Sequence, residues 1–268
     1  MASNGGYHVL VLAGSRHGGE PFVVAEGKSL KATLDIAGKP MLSHVLEALS
    51  LWPKTKSITI SLPQDAPIAA EAPSLNKDIE KVNATLVPTS GTPCKSVQLA
   101  LQGLRTALGK GEPVLIVTGD APLLSPAILD EFTQQNDHET DFIAGIALVE
   151  TVEQAYPEVR RTRIKLRDGH IGGCNLFILN NKEAEKVIQF WRKLENNRKK
   201  PWRMAASLWS MFLYLLGLLT RKGALKGLEK QTGCSLGFAV LSNPHAAIDV
   251  DKPKDLTLVR RIFKQEFK

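Results

Sequence analysis

Tyr7–Leu12 (YHVLVL) is a mostly apolar run, the pattern of a strand covered on both faces. Further strands are predicted at Ser57–Leu62, Ala84–Val87, Pro113–Thr118 (PVLIVT), Phe142–Val149, Gly172–Leu179, Phe238–Leu241 and Ala247–Val250. Between them, helices are predicted over Met41–Leu49 after Pro40, Ser96–Ala107, Pro126–Gln134, Lys182–Asn196 and from Lys254 onward. A long glycine-bearing loop runs from Ala13 to about Leu30. This alternation predicts an α/β fold with a mostly parallel sheet, in which ligands gather at the C-terminal ends of the strands. Two loops leave strands at that edge, Ala13–Gly19 and Gly119–Leu123. No internal repeat or low-complexity linker divides the chain, so residues 1–268 are expected to form a single domain.

Composition narrows the class without choosing the chemistry. With 43% hydrophobic and 23% charged residues, wholesale disorder and collagen-like repeats are excluded. Lys and Arg number 34 against 27 Asp and Glu, a surplus of +7 that favours anionic partners. Cys94, Cys174 and Cys234 lie far apart, which argues against a disulfide framework or zinc cluster and fits a reducing compartment. The opening MASNGGYH lacks the basic start of a secretory signal, so a cytoplasmic location is expected.

The chemistry sits in short stretches at the predicted strand ends. In LAGSRHGG, Leu12–Gly19, glycines at 14, 18 and 19 let backbone amides approach an anion. Arg16 can fork onto phosphate oxygens, and Lys31 and Lys39 in LKATLDIAGKPML add point charges. The pattern is neither GxxxxGK[ST] nor GxGxxG. In VTGDAPLLSP, a buried strand ends in glycine and then Asp120, where a carboxylate can hold Mg2+ beside a triphosphate.

The first stretch resembles the opening motif of the MobA-like nucleotidyltransferases, LAGGxxxRMG…PKxLLxxxGKPML. Leu12, Ala13, Gly14, Lys31, Leu34, Gly38, Lys39 and Pro40 match. Ser15 replaces the second glycine, the loop before Lys31 is longer, and Arg16 is the only nearby substitute for the motif's arginine. The resemblance implies a Rossmann-like three-layer α/β/α sandwich shared with GT-A glycosyltransferases. It also implies that the loop Thr89–Lys95, including Thr92, approaches the nucleobase and that Ser96 caps the helix behind it. Pro122, Leu123 and Leu124 reproduce the family's residues after the strand-end aspartate, and AAIDVDKPKDL resembles its D-x-D-T-P-E-D-L ending. Asp249 and Asp251 flank Val250 and share a face if extended, so one of them, with Asp249 favoured, completes a metal site with Asp120. By the same resemblance Asn175, after two glycines at a strand start, contacts the nucleotide's sugar or the acceptor.

The expected function is therefore Mg2+-dependent transfer of a nucleoside monophosphate from an NTP, CTP or GTP, to a phosphorylated small-molecule or lipid-precursor acceptor. Leu12, Ala13, Gly14, Ser15 and Arg16 would cradle the phosphates, with Lys31, Arg16 and Asp120 as the reactive set. The alternatives are a GT-A-type glycosyltransferase using a nucleotide-sugar and a non-catalytic nucleotide-binding, membrane-associated protein. Nucleic acid is not an expected partner, since the basic stretch RRTRIKLR lacks interleaved aromatics. Arg161, Arg163, Lys165 and Arg167 there form either an acceptor-phosphate face or a charged edge strand. A hydrophobic helical insertion is expected around 201–232. Within it, the uncharged segment 204–220 places Ser207, Ser210, Tyr214, Gly217 and Arg221 on one stripe if helical. It is read as a core or homodimer helix, a peripheral membrane contact with basic flanks, or a cover for an apolar acceptor.

Overall fold

The apolar N-terminal run becomes the centre of a mixed sheet. The computed structural model describes residues 5–14, 20–108, 111–159, 163–195 and 216–266. Its strands are β1 (Tyr7–Leu12), β2 (Asp35–Ile36), β3 (Lys39–Pro40), β4 (Thr55–Leu62), β5 (Thr85–Pro88), β6 (Val114–Thr118), β7 (Phe142–Leu148), β8 (Ile164–Leu166), β9 (Gly169–Leu179) and β10 (Leu236–Leu241). Its helices are α1 (Pro21–Ala25), α2 (Met41–Leu51), α3 (Ile68–Glu71), α4 (Pro73–Lys81), α5 (Pro93–Ala107), α6 (Pro126–Gln134), α7 (Val149–Ala155), α8 (Glu185–Glu195), α9 (Arg221–Thr232) and α10 (Pro253–Glu266). Single 3-10 turns cover Lys31–Thr33 and Pro244–Ala247.

The main sheet runs β10-β7-β9-β6-β1-β4-β5, with β8 added to β9, while β2 and β3 form a separate hairpin. Strand β1 lies parallel to both β4 and β6, β4 to β5, and β7 to β10. Strand β9 is antiparallel to β6, β7 and β8. Alternate residues of the inner strands serve two cores, as period-2 geometry requires. Val9, Val11, Leu115 and Val117 pack with α2, α4, α6 and α10, whereas Leu10, Val114 and Ile116 face α5 and α8. The result is the expected three-layer sandwich.

Two expectations change. Ala247–Val250 is not a strand. The Asn243 side chain accepts a bond from the His245 amide at 3.0 Å and caps a 3-10 turn, and the Val250 N–H goes to the Asp120 carbonyl at 2.9 Å. The predicted helix through 204–220 does not reach its end. Residues 204–215 lie outside the described residues, but Gly217 turns at φ +67° and Thr220 caps α9. Leu219 is buried against Ile146, Leu166 and Ile171, and its carbonyl accepts from the Arg167 amide. Of the basic stretch, Ile164–Leu166 forms β8 at the sheet edge, one of its two expected forms, and Arg163 pairs with Glu153 at 2.6 Å; residues 160–162, Arg161 among them, lie outside the described residues. Among the described residues no helix is long and apolar enough to cross a membrane.

Candidate active site

The C-terminal ends of β4, β1 and β6 are stitched together by backbone bonds beyond the strands. The Ala13 amide donates to the Ser61 carbonyl at 2.9 Å and the Gly119 amide to the Leu12 carbonyl at 2.8 Å. A Cβ on Gly119 would lie 3.0 Å from Ala13 Cβ and 3.2 Å from Leu42 Cδ1, so a side chain where these loops cross would push its neighbours aside. Above this floor opens a cleft of about 920 Å³. One wall is Glu20 with Ser29–Lys31, a second is Pro63–Pro67, a third is Thr89 with Gly91–Pro93 and Ser96, and Asp120 and Asp251 stand at the end.

Lys31 is the centre of the charge arrangement. Its turn begins after Leu30 and is buried at Lys31, Ala32 and Thr33, which directs the side chain inward. The ammonium, on a residue only 9% exposed, donates to Asp120 Oδ2 at 2.8 Å, Asp251 Oδ1 at 2.9 Å and the Val250 carbonyl at 3.1 Å. Glu20 Oε2 lies 3.7 Å away. Burial works against the ammonium's charge, but the adjacent Asp120 and Asp251 carboxylates prevail and hold its pKa above the ordinary value. The other Asp120 oxygen, Oδ1, is buried and has no hydrogen-bond partner among the described residues. The described cleft lining carries four carboxylates, Glu20, Asp65, Asp120 and Asp251, against the single Lys31 ammonium.

The other candidates divide. Leu12, Gly14, Thr92 and Ser96 line the cleft with Lys31, Asp120 and Asp251. Ala13 is buried beneath it, and Ser15 and Arg16 lie outside the described residues. The cap of α5 is Thr92, not Ser96: its hydroxyl accepts from the Lys95 amide at 3.3 Å, and Pro93 occupies the first helical position. Ser96, in the first turn, instead donates to the Thr92 carbonyl and accepts from the Ser90 amide at 2.9 Å, so its hydroxyl braces the loop. Lys39 sits on the β2–β3 hairpin and pairs with Glu47.

Asn175 lies within β9 rather than at a strand start. There the pairing register jumps from Ala144–Phe177 to Ile146–Gly173, and Asn175 takes a left-handed φ of +53°. Its amide donates to Asp249 Oδ2 at 2.7 Å. The two aspartates of AAIDVDKPKDL thus part company. Asp251 meets Lys31, whereas Asp249 meets Asn175, and neither Asn175 nor Asp249 belongs to the cleft lining. The start of α10 is capped by Asp255, whose carboxylate accepts from the Asp251 and Lys252 amides. Sequence reasoning missed Glu20 and the whole Pro63–Pro67 wall. No motif marks them, although Pro21 after Glu20 does signal a helix start.

Known proteins share this fold over most of the chain. The family described as MobA-like NTP transferase domain matches residues 9–166. A hypothetical transferase from Thermus thermophilus superposes with TM-score 0.75 at 26% identity, covering 94% of this chain and 99% of that one. A CMP:2-keto-3-deoxy-manno-octonic acid synthetase complexed with CTP shares the fold, with TM-score 0.57 and 14% identity over 97% of this chain and 99% of that one. The bifunctional protein GlmU of Pseudarthrobacter chlorophenolicus is 26% identical over 137 residues, which is 51% of this chain. That match spans 27% of the GlmU length.

Proposed function

We propose that this chain, which belongs to the MobA-like NTP transferase family, transfers a nucleoside monophosphate from an NTP to an anionic, phosphorylated acceptor. The observation that carries the proposal is the Lys31–Asp120–Asp251 cluster at the end of a cleft walled by a glycine-bearing loop. An acceptor oxygen attacks the α-phosphorus and forms the new P–O bond. The bond from phosphorus to the α–β bridging oxygen breaks, and that oxygen leaves with its electron pair in pyrophosphate. Such chemistry needs positioning and charge neutralisation rather than a covalent group from the protein.

In this proposal Leu12 and Gly14, with Ser15 and Arg16 beyond, hold the triphosphate. Thr92 and the loop braced by Ser96 hold the nucleoside. Lys31 neutralises charge that develops on the α-phosphate. Asp120 and Asp251 would hold Mg2+. The fit rests on hard oxygen donors, a buried Asp120 Oδ1 without a hydrogen-bond partner among the described residues, and a carboxylate excess in the described lining. No group of three or more His, Cys, Asp or Glu among the described residues forms a metal cage, and Mg2+ beside phosphates commonly uses one or two carboxylates. When bound, the ion supplies Lewis-acid polarisation of the phosphates.

The test is protection of the wild type against thermal unfolding by each of the four NTPs with Mg2+, followed by pyrophosphate release with phosphorylated acceptors. The expected result is protection by one NTP, and turnover that collapses in folded Asp120→Asn. Protection by nucleotide-sugars alone, or full activity of Asp120→Asn, overturns the proposal.

A further inference from the structure

Lys31 can act on a phosphate only if its turn stays in place; within the turn the Thr33 amide and hydroxyl reach the Leu30 carbonyl at 3.1 and 2.8 Å, and the Leu34 amide reaches the Lys31 carbonyl at 3.0 Å. Leu30, at its N-cap, contributes no side-chain cap. The hold from outside the turn comes from Glu71, the last residue of α3. Its Oε1 accepts from the Ser29 amide at 2.8 Å and from the Ser29 hydroxyl at 2.6 Å. Its Oε2 accepts from the Thr33 hydroxyl at 2.6 Å, and its backbone carbonyl accepts from the Lys28 ammonium. One residue therefore grips the chain on both sides of Lys31.

The same residue joins two walls of the cleft. Ser29–Lys31 forms one, and Pro63–Pro67, which leads directly into α3, forms another. Glu71 itself is not in the cleft lining. Burial favours its neutral form, but the hydrogen bonds from Ser29 and Thr33 prevail and keep its carboxyl below the ordinary glutamate value. The carboxylate is thus charged when it makes these bonds, and bonds to a charged acceptor are the strong ones.

We propose that Glu71 is a positioning residue for Lys31, fixing the Lys28–Thr33 segment so that the ammonium meets the triphosphate at a constant place. This rests on the assignment of Lys31 to the phosphates. Glu71 touches no substrate and acts through the turn. A glutamine at this position keeps one acceptor oxygen, but its amide nitrogen only donates, so the Ser29 bonds and the Thr33 bond cannot both be kept.

The test is a double-mutant cycle of Glu71→Gln and Lys31→Met, read by calorimetric titration of CTP, GTP, ATP and UTP with Mg2+. For whichever NTP binds the wild type, Glu71→Gln is expected to weaken binding about tenfold, ~1.4 kcal/mol. In the Lys31→Met background the same change should matter less than about twofold. A merely structural role would cost the same in both backgrounds, and that result overturns the proposal. Hydrogen exchange gives a readout that needs no nucleotide. The amides of residues 29–34 should exchange faster in Glu71→Gln while those of β1 and β6 keep wild-type rates, and unchanged exchange at 29–34 also overturns it. Should Glu71→Gln fail to fold, Ser29→Ala removes the hydroxyl bond to Glu71 and keeps the backbone one, and it is expected to shift both measurements the same way. If no NTP binds the wild type, the phosphate role of Lys31 fails, and exchange alone decides whether Glu71 anchors the turn.

Discussion

Replacing Lys31 by Met is the sharpest single perturbation of this cleft. Met keeps the length and apolar stem and removes the ammonium. Three donated bonds disappear, to Asp120 Oδ2, Asp251 Oδ1 and the Val250 carbonyl. Asp120 Oδ1 already lacks a hydrogen-bond partner among the described residues, so the variant strips the known ammonium bond from its other oxygen as well. Both carboxylate oxygens sit within 3 Å of the same nitrogen, so they lie no more than about 6 Å apart. Two unit charges about 6 Å apart repel by about 2.8 kcal/mol at an effective dielectric of about 20. Removing one member of a buried pair costs about 3–5 kcal/mol. The Asp251 side chain is 51% exposed and partly screened, which brings the expected loss to about 3 kcal/mol.

The pH dependence of that loss gives the argument a second edge. In the wild type the ammonium's pKa is held above its ordinary 10.5, so its stabilisation is complete below that value and is lost only as pH rises further. The wild-type contribution is therefore constant between about pH 5 and 9. Urea unfolding of both proteins at about pH 7 and 9 should therefore show the same gap, because the ammonium stays charged across that window. A gap below about 1 kcal/mol at pH 7, or one that shrinks by about pH 9, refutes the claim that these carboxylates depend on Lys31.

Two further outcomes test the frame around the cleft. Gly119→Ala forces a Cβ against Ala13 and Leu42, and urea unfolding should show a loss of about 1–3 kcal/mol. Asn175→Gly relieves a left-handed residue but loses the bond to Asp249, so its stability should stay within about 1 kcal/mol of wild type, whereas Asn175→Val, β-branched at positive φ, should lose more than that by the same measurement.

The parts of this site that were legible in the sequence are those whose chemistry follows from a strand end. Val114–Thr118 had to be a buried strand, so Asp120, two residues beyond it, had to emerge at the edge where ligands collect. Lys31 was legible through its motif, although its partners were not. Thr92 could have been found as the cap of α5, because Pro93 marks the first helical position and the residue before it caps. Choosing Ser96 overlooked that proline signal. The Pro63–Pro67 wall and Glu71 had no such mark. Their importance comes from contacts across 38 to 42 residues of sequence, between Glu71 and the chain around Lys31.

The choice between Asp249 and Asp251 shows why spacing alone fails at a site of this kind. Two residues separated by one share a face only on a strand. The capped turn at Asn243–His245 and the bond from the Val250 amide to Asp120 make this segment an irregular link instead. Its two carboxylates are then free to serve different neighbours. Asp251 is drawn to Lys31, whose ammonium accepts nothing and directs its three donors to Asp120, Asp251 and the Val250 carbonyl. Asp249 is drawn to Asn175, a residue placed by the bulge in β9 and not by the cleft. The Val250 backbone, bonded through its N–H to Asp120 and through its carbonyl to Lys31, couples the end of β6 to the segment entering α10. It is this irregular link, and not a strand, that carries Asp251 to Lys31 beside Asp120.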